Sequence, residues 1–263
     1  MAPGPQPHRP ALVRLVVIGL VGGLMAGLFG VGGGLLMVPL LITFAGLDQR
    51  RAAAASLLAI VPTSVVGATG YALRGEVDVP VAALVAVGGV VGAHLGARLM
   101  RVLPRPWLRW MFITLLVAVA AYMAFVEPAR GTQIDLTPGS GAGLLATGVV
   151  MGVTAGLFGV GGGLITVPAL IVLFGAGDLV AKGTSLLVIV PTAIAGTWAN
   201  HRGGQLDVRT GLVVGGCGTL ASFGGVELAF LVPAHLSGVL FAALVMTSAV
   251  QLTIRTLRRR RRG

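Results

Sequence analysis

The chain has 263 residues, of which 56% are hydrophobic and only 10% charged, and its mean hydropathy is +0.96. A soluble domain carries about 25% charged residues, so the composition excludes an ordinary water-soluble enzyme; apolar runs of about 18 residues or more suit helices crossing a ~30 Å hydrocarbon core, whereas a transmembrane barrel needs alternating segments of ~10 residues. The net charge of +11 gathers at the ends of those runs, the pattern of a membrane protein with its positive loops on one side rather than of a nucleic-acid binder.

In chain order, the first apolar segment is 12–29. Arg9 and Arg14 precede or open it as in a signal peptide, but its end recurs inside the chain, so it is read as a retained helix. Four glycines in five positions, GVGGG at 30–34, then break the helix, since each glycine costs about 1 kcal/mol there relative to alanine. The short segment 35–45 reaches only ~16 Å, so 12–45 reads as a hairpin that enters and leaves on one side. Longer segments follow at 52–73, 79–99 and 107–126. After a polar stretch at 127–139 the series restarts with 142–158, a second GVGGG at 159–163, a short 164–174, then 184–199, 210–231 and 236–254.

The restart is a repeat. AGLFGVGGGL at 26–35 recurs unchanged at 155–164, and the same offset of 129 maps Val38-Pro39 onto Val167-Pro168, Ser56-Leu57-Leu58 onto Ser185-Leu186-Leu187 and Ile60-Val61-Pro62-Thr63 onto Ile189-Val190-Pro191-Thr192. The predicted fold is therefore an all-α polytopic membrane protein of two repeats, each a Gly-broken helical hairpin plus three transmembrane helices. The first repeat is 1–126, with an N-terminal tail at 1–11. An external linker at 127–139, the second repeat at 140–254 and a basic cytoplasmic tail at 255–263 follow.

A hairpin plus three spans per copy inverts the second copy relative to the first, an arrangement common in secondary transporters. With both termini cytoplasmic, 16 of the 19 basic residues fall inside and only Arg74, Arg130 and Lys182 outside, as the positive-inside rule favours. The expected location is a bacterial-type inner membrane, with the tail arginines at 258–262 against anionic lipid. Cys217 is the single cysteine, so no intrachain disulfide and no thiolate metal site is available.

The glycine breaks carry the sharpest chemistry. A Gly-rich turn that opens into a helix presents free backbone N–H groups at the positive end of the helix dipole, an anion site. The substrate-binding candidates are accordingly Gly32, Gly33, Gly34, Gly161, Gly162 and Gly163, with the hydroxyls of Ser56, Thr63, Ser185 and Thr192 as donors. The competing readings are close helix packing for the glycines and back-bonding to the helix for the hydroxyls. Pro39, Pro62, Pro168 and Pro191 free the carbonyls four residues back and are hinge candidates. Gly33→Val or Gly162→Val is expected to lose more in anion binding than in folding, while alanine at Gly23 or Gly152 is expected to be mild by comparison. Of the intramembrane ionisable groups, Glu227 is read as a snorkelling or paired carboxylate and His94 as a neutral packed histidine. No carboxylate pair, metal-ligand cluster or nucleophile–base set forms a catalytic site.

GLFGVGGGxxxVPxL twice, followed in each half by SLLxIVPT and G-x-[VL]-D, resembles the TauE/SafE sulfite exporter family, also called the four-toluene sulfonate uptake permease family. The resemblance runs from about residue 15 to residue 252 and rests on Gly30, Gly32 to Gly34, Pro39, Ser56, Gly159, Gly161 to Gly163, Pro168 and Ser185. It implies a membrane transporter of a small anion of the sulfite or sulfonate class, with no cofactor, a proton or sodium ion as candidate coupling ion, and self-association left open. The alternative is a transporter of another small metabolite whose glycines serve packing only; an integral membrane enzyme is the weakest reading.

Overall fold

The computed structural model describes residues 11–124 and 138–260. The expected N-terminal tail up to residue 10, the linker up to residue 137 and the last three residues of the basic tail lie outside the described residues. Ten helices form among the described residues: α1 (Leu12–Phe29), α2 (Gly34–Phe44), α3 (Gln49–Ala72), α4 (Val79–Val102), α5 (Arg105–Ala124), α6 (Pro138–Phe158), α7 (Gly163–Phe174), α8 (Asp178–Arg202), α9 (Val208–Leu231) and α10 (Ala234–Arg260). No strand occurs among the described residues. Seven helices there are long and apolar enough to cross a membrane, and the shorter apolar ones are α2, α7 and the 106–121 part of α5.

Local chemistry sets the ends. Gly30 closes α1 in the left-handed region at φ 69°, its N–H donating to the Ala26 carbonyl, a conformation that only glycine adopts cheaply. The G-x-[VL]-D motifs are turns. Gly75 and Gly204 take φ 74° and 68°, and the following Asp78 and Asp207 accept hydrogen bonds from the N–H groups of Val81 and Thr210 as N-caps of α4 and α9. Arg14 on α1 donates to the Phe44 carbonyl at the end of α2, 3.1 Å away, so the first hairpin returns to the end from which it starts.

The hairpins pack on the opposite repeat. α1 lies against α9 with backbones nearly touching: a Cβ on Gly19 would stand 2.5 Å from the Val214 carbonyl oxygen, and one on Gly23 or Gly27 would collide with the carbonyls of Gly218 and Ser222. The counterparts 129 residues on do the same in α6 against α4, where Gly148, Gly152 and Gly156 face the carbonyls of Val85, Gly89 and Ala93. Such interlocks gain Cα–H···O contacts and dispersion at a separation no larger residue permits. The expectation that alanine is mild at Gly23 or Gly152 is thereby corrected: the sequence shows a glycine two turns from the break but not the carbonyl seated on it. Between the hairpins, α3 and α8 are the most enclosed spans and bury Ile60, Tyr71, Leu186 and Ile189.

Candidate functional site

The two glycine breaks meet. Gly30, Gly32 and Gly33 have φ of 69°, 75° and 79°, and Gly159, Gly161 and Gly162 have 74°, 81° and 87°, so each break is one left-handed turn that reverses the chain. A Cβ on Gly34 would stand 2.6 Å from the Gly159 carbonyl oxygen, and one on Gly163 would stand 2.6 Å from the Val31 Cα. Ile60 and Ile189 close over both: a Cβ on Gly32 or Gly161 would lie 3.1 or 3.2 Å from Ile60 Cγ2, with Ile189 methyls beside it. All ten residues of the two breaks are buried.

The first turns of α2 and α7 begin here without a side-chain cap. In α2 the hydrogen bonds to the Gly33 carbonyl come from the N–H groups of Leu36 and Met37, and in α7 those to Gly162 come from Ile165 and Thr166. The N–H groups of Gly34, Leu35, Gly163 and Leu164 precede these bonds and have no acceptor within their helices. Both partial positive ends are thus brought to one buried locus.

The hydroxyl candidates divide. Ser56 on α3 donates to the Gly159 carbonyl across the repeats and lies 3.2 Å from the Ala53 carbonyl. Its counterpart Ser185 on α8 is fully buried and has no hydrogen-bond partner among the described residues. Thr63 and Thr192 bond back to their own helices, at the Ile60 and Val188 carbonyls, and their methyl groups pack beside Gly218 and Gly89. The structure therefore brings Ser56 to a break and directs the threonines to the α3–α9 and α8–α4 contacts. Pro39 and Pro168 are buried inside the short helices, and Pro62 and Pro191 are half-buried midway along α3 and α8.

Glu227 pairs with Arg74, 2.6 Å from its guanidinium, which also lies 4.3 Å over the Phe230 ring. This agrees with the paired reading. His94 Nδ1 sits 3.0 Å from the Val90 carbonyl, so Nδ1 carries the proton, and the ring stands edge-on to Trp198, a packed side chain as expected. Lys182, assigned from the sequence to an outer end, is buried near the start of α8, 2.7 Å from Asp178 and with its Cα 2.5 Å from where a Cβ of Gly30 would stand. The spacing of Asp178 and Lys182, i and i+4, was the available signal.

The family model described as sulfite exporter TauE/SafE matches residues 1–123 and 144–263. The chain belongs to that family. It is a multi-pass membrane protein within it. Among its relatives, a protein of Xylella fastidiosa strain 9a5c named probable membrane transporter protein is 28% identical over 256 residues, 92% of this chain and 95% of that one. Probable membrane transporter protein YunE of Bacillus subtilis is 25% identical over 75% of this chain and 81% of its own length. Probable membrane transporter protein YdhB of the same organism is 33% identical over a shorter stretch, 40% of this chain, and the match spans under half of YdhB, 43%.

Proposed function

We propose that this TauE/SafE family member is a secondary transporter of a small anion, of the sulfite or organosulfonate class, held where the two glycine breaks meet. One observation carries the reading: two helix N-termini, whose leading N–H groups have no acceptor within their helices, abut at a single buried place. Each end offers about 0.3–1 kcal/mol of charge–dipole stabilisation when exposed and up to about 2 when partly buried, a modest affinity that suits cargo that must be released. The Ser185 hydroxyl adds a donor without an acceptor among the described residues.

In this reading the repeats are inverted across the membrane with both termini cytoplasmic, and the breaks are reached alternately from each side as the Pro62 and Pro191 helices flex. The relatives' names support transport. Uptake of radiolabelled sulfite and of a labelled sulfonate into proteoliposomes, with and without an imposed gradient, tests it: saturable uptake above protein-free vesicles is expected, and rates equal to protein-free vesicles for both anions overturn it. Topology is tested in a Cys217→Ser background with Leu73→Cys and Val102→Cys, both more than four-fifths exposed. An impermeant thiol reagent should label the first from outside and the second only after permeabilisation.

A further inference from the structure

The second repeat carries a charged pair that the first lacks. Asp178 and Lys182 are 3% and 2% exposed, and the ammonium bonds both the Asp178 carboxylate at 2.7 Å and the Ser237 hydroxyl of α10 at 2.8 Å. The positions 129 residues earlier are Gln49 and Ala53, also buried. Two charges taken out of water cost several kcal/mol each before their attraction returns any of it, and a membrane interior raises that cost. The first repeat fills these two positions of the same helix start with uncharged residues, so folding does not require the pair.

Its position connects it to the glycine breaks. Lys182 touches Gly30 through its own backbone. Ser185, with its unpartnered hydroxyl, lies one turn further on the same face of α8. A small cavity lined by Phe29, Asp178, Lys182, Ser237 and Phe241 opens beside the pair.

We propose that Lys182 is a cationic ligand of the transported anion and that Asp178 is its exchangeable counter-ion, so that one proton accompanies each monovalent anion. This rests on the reading of the protein as an anion transporter. In the empty state the carboxylate holds the ammonium. A proton from water adds to an Asp178 carboxylate oxygen, the ion pair opens, and an anion oxygen takes the carboxylate's place on Nζ. Release of the anion and then of the proton restores the pair. The buried site is neutral in both states, which keeps each step affordable in a low-dielectric interior.

The other ionisable groups around the pair are already engaged or lie at the surface. The Tyr71 hydroxyl on α3 donates to the Gly27 carbonyl, Arg74 holds Glu227, and Asp78 caps α4. Glu76 lies half-exposed in the α3–α4 loop that covers Gly183, and His235 on α10 is exposed. Asp178 is the carboxylate bonded to the ammonium.

The test uses methanesulfonate, because sulfite itself titrates near neutrality and would confound a pH series. Its affinity for the purified full-length protein is measured by calorimetry across pH, with proton movement followed in proteoliposomes by an enclosed pH dye. For the wild type, affinity should rise about tenfold for each pH unit lowered on the limb where one proton is taken up. Asp178→Asn should bind more tightly at high pH, lose that slope, and carry anion without protons. The charge-neutral Asp178→Asn/Lys182→Gln variant should lose at least about tenfold in affinity while melting no lower than the wild type. A slope retained in Asp178→Asn, or an unchanged affinity in the double variant, overturns the inference. Wild type that binds and transports the anion with no pH slope also overturns it and leaves the proposed function standing. Absence of any anion binding or uptake by the wild type removes both.

Discussion

The starts of α3 and α8 are the same structural position built twice, and they differ in almost every polar residue. In the first repeat Asp48 caps the helix by accepting from the N–H groups of Arg50 and Arg51, Gln49 is buried, and Arg50 reaches across to the carbonyls of Arg101 and Leu103. In the second, Gly177 stands at the cap with no side chain to offer, Leu179 and Val180 replace the arginines and are buried, and the acid moves one residue inward as Asp178, paired with Lys182. The backbone template is shared, and in the proposed inverted arrangement the two starts face opposite sides of the membrane. That proposal sets the arginines of α3 on the inner face, as the positive-inside rule favours, and the buried ion pair of α8 where charge is used.

Four measurements break or sharpen this comparison. The largest effect is expected for Lys182→Gln alone, which leaves Asp178 buried and unpaired: stability in detergent should fall by about 3–5 kcal/mol, the cost of breaking a buried pair from one side, and adding Asp178→Asn should recover most of it. Chemical denaturation followed by circular dichroism reads both. A full loss that persists in the double variant would make Lys182 a packing residue like Ala53.

Next come the interlocks, where the two repeats should behave alike. Gly23→Ala and Gly152→Ala each force a methyl against a carbonyl, and overpacking of this kind costs about 1–3 kcal/mol. Gly216→Ala, which meets nothing within 4 Å, should stay within about 0.5 kcal/mol. Thermal melts of the three purified variants decide it, and unequal losses at Gly23 and Gly152 would show that the two interlocks are not equivalent.

The serines should separate again. Ser56→Ala removes a buried hydrogen bond to Gly159, leaves that carbonyl short of a donor and should cost about 1–3 kcal/mol, whereas Ser185→Ala removes a hydroxyl that bonds nothing and should leave stability unchanged while weakening anion affinity. The smallest effect is a gain. Both amide atoms of Gln49 are buried without partners among the described residues, so Gln49→Met, of similar volume, should stabilise by about 1 kcal/mol. A loss there would mean that the amide has a bonding role in another state of the cycle.

Much of this was legible in the sequence. The end of α1 at Phe29 follows from the run of helix-breaking glycines after it, and the repeat offset shows which helices are equivalent. Starts at 52 and 184 were read too late, since Gln49, Arg50, Asp178 and Lys182 look like loop residues until their partners are known. An i,i+4 pair or a cross-helix cap lets such residues continue a helix into the interior. The glycine stripes on α1 and α6 were visible as small residues, but which carbonyls they seat depends on α9 and α4, and no local pattern encodes that pairing. The breaks are plain in the sequence as glycine runs. The failure of Thr63 and Thr192 to reach them is not, because a hydroxyl that back-bonds and one that faces a site look identical in one dimension.

The crossed seating of the hairpins has a consequence for biosynthesis. α1 leaves the ribosome well before its seat on α9, roughly 200 residues later at Gly218, while α6 finds α4 already made about 60 residues before it. At about 5–20 residues per second, the first hairpin waits about 10–40 s in the bilayer with its glycine backbone bare. During that interval it depends on lipid or an insertion chaperone, and a ribosome pause late in the message would lengthen the exposure of the first hairpin alone.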